Sequence, residues 1–250
     1  MFEDDSNRGR LYDVVCCLTS EDECAEAAVA AAHRVPVLAH PIRQFCHARG
    51  RRLSDPVARV AYDSETIERL AAYRLDLVVL ASYLYVLTEP MLTGFCHRII
   101  NVHHSDLTLR GDDGRARLTG LRAVRDALLA GERDTRATVH LVTREPDQGR
   151  PFLRSWAFPV SPLVRDVRVW QDADVRRGYI RAHQDWMIRA TWGPLIARAI
   201  ELIACRRLDL SALARRNEIG PPWDLEEAGT ISGCGPVGDA KTSDQMAWAS

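Results

Sequence analysis

The sequence predicts an α/β fold built on an open, mostly parallel sheet with flanking helices. Three observations carry that expectation. A short apolar run, an alanine-rich segment and a second apolar run follow one another near the N-terminus, as in a strand-helix-strand unit. A continuous apolar run, "DLVVLASYLYVL", has the character of a strand buried on both faces. Further on, "TRATVHLVT" alternates apolar and polar residues at the period of a strand.

Taken in order, the first element is "LYDVVCCL", residues 11–18, a buried strand. "SEDECAEAAVAAAHR" follows as a helix, with Ser20 as N-cap and acidic residues in its first turn. "VPVLAH" supplies the second strand. In "SETIERLAAYRL", Ile67, Leu70, Ala71 and Leu75 recur at helical spacing, and "DLVVLASYLYVL" then runs as a strand into a loop. "RIINVHH" is a further strand. The stretch "SDLTLRGDDGRARLTG" holds three glycines and many charges, and reads as a loop long enough to be functional. "LRAVRDALLAGE" is an amphipathic helix closed by Gly131, and "FLRSWAFPV" completes the sheet after the loop "REPDQGRP". A long helical region from Asp174 to Leu208 packs across the sheet, with Pro194 as a kink or break. The domain is expected over residues 11–210, between a disordered N-terminus at 1–10 and a flexible tail at 211–250.

Composition narrows the chemistry. At 250 residues the chain is long enough for one domain with a full core, and a net charge of -1 gives no global attraction for nucleic acid or an anionic membrane. Lys241 is the only lysine among 33 basic residues, which removes a P-loop lysine or a Schiff base from the folded part. Seven cysteines without a C-x-x-C pair imply neither a disulfide framework nor a zinc ribbon, so a reducing cytoplasm fits best. Cys16 and Cys17 lie inside an apolar run and read as small buried hydrophobes. No secretory signal and no run of about 18 apolar residues is present, so the protein is expected to be soluble.

Residues i and i+2 of a strand share a face, so Asn101 and His103 project together at a strand's carboxyl end. Asp147 lies in the loop after "TRATVHLVT", at the same sheet edge, where ligands bind in open α/β sheets. Asn and His at a strand end also serve as turn formers, and Asp147 before Gly149 is compatible with ordinary turn chemistry. The spacing alone leaves function undecided.

"DLVVLASYLYVLTEPMLTGFCHRIINVHHSDL", followed by "GLRAVRDALLAGERDTRATVHLVTREPDQGRPFL", resembles the folate-dependent formyltransferase family, and within it the glycinamide ribonucleotide formyltransferases of purine synthesis. The family order is an apolar strand and loop, Asn-x-His-x-Ser, a helix ending in Gly, then Thr-x-His-x-Val-x-x-x-x-Asp-x-Gly. The resemblance implies a Rossmann-like formyltransferase fold and places Asn101, His103 and Asp147 at the family's catalytic positions. It also implies folate binding by the loop Tyr83, Leu84, Tyr85, Val86 and Leu87, with His140 beside the site. The implied co-substrate is 10-formyltetrahydrofolate, no metal is needed, and the partner is a small-molecule amine. Nucleic acid and membrane are not expected partners.

Against the family pattern, the first strand and its phosphate-binding loop are missing, so the fold is expected to be incomplete at the N-terminus, with a homodimer or another polypeptide covering the gap. His104 stands at the family's proline, Asp106 at a leucine and Gln148 at a glycine. Arg110, Arg115 and Arg117 either bind an anion in the missing loop's stead or lie on a solvated charged loop. These departures lie on the acceptor side. An amino-sugar formyltransferase and a non-catalytic folate-binding or partner-binding remnant of the fold remain alternatives.

Overall fold

In a computed structural model the described residues are 7–22, 24–166, 170–215 and 221–225. The chain forms β1 (Cys17–Thr19), α1 (Ala25–Ala32), β2 (Val37–Ala39), α2 (Ile42–Ala48), α3 (Pro56–Leu70), β3 (Val78–Leu80), α4 (Glu89–Gly94) and β4 (Ile99–His103). These are followed by α5 (Ala123–Leu129), β5 (Asp134–Thr135), β6 (Thr138–Leu141), β7 (Pro151–Arg154), β8 (Phe158–Pro159), α6 (Ala173–Ala204), α7 (Leu210–Arg215) and β9 (Trp223–Asp224).

The α/β class and the open sheet are as expected, and the pairing is mixed. Five strands run in the order β3-β4-β6-β7-β9, parallel at both ends and antiparallel through β4, β6 and β7. The middle strands are antiparallel because β6 and β7 are joined by a hairpin rather than by a crossover helix. β1 and β2 pair in parallel as a separate sheet. Cys16, Leu18 and Leu38 nevertheless pack on the cluster of Leu70, Leu87, Met91 and Ile99 that also receives Val78 and Leu80 of β3.

Several element boundaries move for local reasons. The first helix starts at Ala25 with Cys24 as N-cap, so Ser20 does not cap it. Helix α3 begins earlier than the apolar period suggested, because Asp55 accepts hydrogen bonds from the Val57 and Ala58 amides and Pro56 opens the helix with a preset φ. "FLRSWAFPV" is two strands, β7 and β8, in different sheets. Pro194 does not break α6, which runs unbroken from Ala173 to Ala204; Thr191, Leu195 and Ala199 around it are fully buried against the sheet. This helix and α5 cover the apolar face of β4, β6 and β7 in the main core.

The boundary expected at residue 211 is a correction. Helix α7 continues to Arg215, and β9 adds to the sheet edge with Leu153 opposite Trp223. Asp224 accepts from the Arg154 guanidinium at 2.5 and 3.2 Å and lies 3.4 Å from Arg136, so charge-assisted hydrogen bonds hold this short strand. At the other end, Leu11 is buried, Asn7 bonds to Glu201 of α6, and Gly9 donates to the Tyr12 carbonyl, so residues 7–10 are turned against the domain. Residues 1–6, 216–220 and 226–250 of the expected flanks lie outside the described residues. Cys16, Cys17, Cys24, Cys46 and Cys96 are free thiols, with burial raising the thiol pKa of Cys16 and Cys17. No helix among the described residues is long and apolar enough to cross a membrane.

The Asp224 contacts set an expectation for stability. Asp224→Ala should lower unfolding free energy by about 1–2 kcal/mol in a urea titration, because two arginines lose a shared charged acceptor. An unchanged midpoint would mean that β9 contributes nothing to the sheet.

Candidate active site

Strand β4 alternates between two environments. Ile100 and Val102 enter the core, so Asn101 and His103 face the other way. Pairing with β6 sets Asn101 opposite His140 and His103 opposite Thr138, and directly opposed residues share a face. Four polar side chains therefore stand together on the reverse of an apolar sheet. Thr138, which the sequence reading passed over, steers the chain leaving β4: its hydroxyl donates to the Ser105 carbonyl at 2.7 Å and accepts from the Leu107 amide at 3.3 Å. Its signal was its place two residues before His140.

The turn between β6 and β7 brings in Asp147. Leu141 donates to the Arg150 carbonyl at 2.9 Å, and the returning chain passes so close that a Cβ on Gly149 would lie 1.6 Å from the Leu141 oxygen. Only glycine fits there. Asp147 itself adopts φ 56°, a left-handed conformation that Asp tolerates better than most residues. One carboxylate oxygen accepts from the Gly120 amide at 2.7 Å; the other lies 3.6 Å from His103 Nδ1 and 3.8 Å from His140 Nε2.

The long loop from Asp106 to Gly120 is clamped onto this turn. Gln148 accepts from the Ala116 amide at 2.8 Å and donates to its carbonyl at 3.3 Å, and Arg115 pairs with Glu145 at 2.8 Å. Arg117 pairs with Glu132. Two of the three arginines that sequence had offered as an anion site are thus neutralised by carboxylates.

A hydrogen bond fixes the tautomer of His140. His140 Nδ1 lies 3.1 Å from the Leu141 carbonyl, which only accepts, so Nδ1 carries the proton and Nε2 is left as the acceptor for Asn101 Nδ2 at 3.3 Å. Asn101 thereby donates one amide proton to His140. His103 has its Nδ1 toward Asp147, and its Nε2 is buried with no partner. His104 stacks on His103, with ring centroids 4.8 Å apart.

Burial decides the charge of the cluster. His103 is 5% exposed and His140 2%. Loss of hydration pushes the His103 pKa well below the ordinary value; Asp147 opposes that shift, while His104 and His140 add to it. His104 and His140 are lowered by the same burial, against the same carboxylate. His103 is therefore neutral in the free protein, and the charged imidazolium that Asp147 alone would favour does not form.

The five residues of the expected folate loop leave the carboxyl end of β3, where Leu80 pairs with Asn101. Leu84 and Val86 are exposed, Tyr83 and Tyr85 are half-buried with rings 5.6 Å apart, and Leu87 is buried. Beneath the loop, Arg59 donates to the Val86 carbonyl at 2.6 Å, and Asp63 accepts from the Thr88 amide and hydroxyl at 2.5 and 2.7 Å. Arg59 Nη1 and Asp63 Oδ1 remain buried without partners. Sequence reasoning missed both, although their spacing of four puts them on one face of α3. The structure thus joins Asn101, His103, His140 and Asp147 in one cluster, with the loop on the neighbouring strand. Among the described residues no group of three or more His, Cys, Asp or Glu side chains is placed to hold a metal ion.

Comparison with known proteins shows the family of the fold. The family model described as formyl transferase matches residues 3–173. The chain is 32% identical over 143 residues to a chloroplastic phosphoribosylglycinamide formyltransferase of Arabidopsis thaliana, covering 57% of this chain and 44% of that one. It is 34% identical over 138 residues to a phosphoribosylglycinamide formyltransferase of Mycobacterium tuberculosis, covering 55% of each. The chain spans about half the length of these relatives. The crystal structure of glycinamide ribonucleotide transformylase 1 from Symbiobacterium toebii superposes with a TM-score of 0.54 at 30% identity, over 79% of this chain and 76% of that one.

Two outcomes are expected. Gly149→Ala should destabilise the fold by more than about 3 kcal/mol, since backbone and not a flexible side chain blocks the new methyl; a chemical denaturation curve reads it, and a loss under about 1 kcal/mol would contradict the close approach. The second concerns acid. His40, lowered to about 4, and His103, His104, His140 and His183 all have burial-depressed pKa values. The unfolded chain binds more protons once pH drops below about 6.5, so stability is complete above that pH and falls through about 4 for His40. Unfolding free energy against pH should fall by more than about 1.4 kcal/mol per unit below pH 6, reporting more than one proton. A flat profile would contradict neutral burial.

Proposed function

The chain belongs to the formyl transferase family, and from that premise we propose that it transfers the formyl group of 10-formyltetrahydrofolate to a primary amine, with glycinamide ribonucleotide as the acceptor. The supporting observation is the convergence of Asn101, His103 and Asp147 with His140 on one buried polar face. The names of the relatives supply the acceptor, and the reaction reading goes with a cytoplasmic enzyme of purine synthesis.

The formyl donor is a substrate of the reaction, and the loop from Tyr83 to Leu87 fits it. Exposed Leu84 and Val86 offer apolar surface to a flat ring.

The chemistry needs two things of the protein. As the amine nitrogen bonds to the formyl carbon, the carbonyl electron pair moves to oxygen, and a donor aimed at that oxygen lowers the barrier. Asn101 supplies it, with one amide proton held by His140 and the other free. The attacking nitrogen must also lose a proton. His103 is neutral with an unpartnered Nε2, so it accepts that proton as a general base, and Asp147 at Nδ1 stabilises the imidazolium that results. The same proton then returns to the departing folate nitrogen as its bond to carbon breaks. This differs from a charged His103 as oxyanion donor, because burial outweighs the pull of the single carboxylate.

Purified protein with 10-formyltetrahydrofolate, assayed for tetrahydrofolate release, tests the reading. Turnover should require glycinamide ribonucleotide, stay at background with water alone, and fall about 10²- to 10⁴-fold in His103→Ala. Release independent of the ribonucleotide would make the protein a hydrolase, and silence from folded protein would exclude this acceptor.

A further inference from the structure

One histidine of the cluster has no part in the chemistry above. His104 follows His103 directly, is buried, and lies in a stacked arrangement on it, with 25° between the rings at 4.8 Å. Its Nε2 is buried without a partner, like that of His103. We infer that His104 is a positioning residue for His103: its ring fixes the plane of the neighbouring imidazole, and the stacked pair holds one proton between them and rejects a second.

The geometry supports both halves. His103 has a carboxylate 3.6 Å from Nδ1, too long for a hydrogen bond, so that contact alone does not fix the ring's rotation. The stacked face of His104 restricts it from one side, with the backbone at Leu118 beside His103 and at Leu121 beside His104. Two imidazoles stacked at this distance in a buried site repel when both are charged, so they titrate as a coupled pair. The charged and titratable groups facing them are Asp147, from the β6–β7 turn, and, for His103, His140 of β6. One carboxylate can balance one imidazolium. A proton taken from an amine by His103 is therefore the single positive charge that the pair accommodates beside Asp147.

The catalytic consequence rests on the formyl-transfer reading, but the pairing can be tested without it. The carbon-bound ring protons of both histidines would be followed by NMR from neutral to acid in the folded wild-type protein and in His104→Phe, which keeps a stacking ring and removes the second base. In the wild type both rings should shift together in one step and again in a second step at least about one pH unit lower. In His104→Phe, His103 should titrate in one step. Independent single steps in the wild type would overturn shared protonation. For positioning, kcat under the same assay should stay within about threefold of wild type in His104→Phe and fall about tenfold or more in His104→Ala, with KM for the folate unchanged and the acid limb of the kcat profile shifted in both. Equal kcat and an unshifted limb in His104→Ala would overturn the positioning role. If the wild type itself transfers no formyl group, the reaction reading fails and the NMR result alone decides the pairing.

Discussion

Everything proposed for the site depends on the register between β4 and β6. Asn101 faces His140 and His103 faces Thr138, while the intervening Ile100, Val102, Val139 and Leu141 fill the core. Because strand side chains alternate, a slip of β4 by one residue would turn Asn101 and His103 inward and Ile100 and Val102 out. The apolar core therefore fixes the polar face as firmly as it fixes itself. Gly149 extends that control to the turn, since its close approach to the Leu141 carbonyl decides where Asp147 arrives.

Burial then sets what the cluster can do. A carboxylate beside an exposed imidazole would draw a proton onto it, but here three imidazoles share one carboxylate out of water, and hydration lost exceeds attraction gained. The neutral state makes His103 a base with a free nitrogen. It also gives the remaining polar contacts their direction: the Leu141 carbonyl orients His140, and His140 orients Asn101. Gln148 and Glu145 tie the long loop to the turn that carries Asp147.

Much of this was legible in the sequence. The period-two spacing of Asn101 and His103, the strand around His140 and the Asp-x-Gly turn are local patterns, and local patterns survive folding. What was not legible depends on distant partners. The start of α3 follows from the Asp55 cap, and β9 from Arg154 finding Asp224 70 residues away. The charge state of His103 follows from its depth of burial, which a sequence does not show. The separation of β1 and β2 from the other strands is a tertiary fact that no spacing announces. Arg115 and Arg117, offered by the sequence either as anion ligands or as part of a solvated charged loop, pair with Glu145 and Glu132.

The central claim is that a buried, neutral imidazole at position 103 presents an unprotonated Nε2 to the reaction. Ring-nitrogen chemical shifts of a 15N-histidine-labelled sample at about pH 7.5 test it most directly, since neutral tautomers and imidazolium differ at both nitrogens. The account expects His103 and His140 each to show a protonated Nδ1 and a bare Nε2. A doubly protonated His103 at that pH, or a proton on its Nε2, would contradict it.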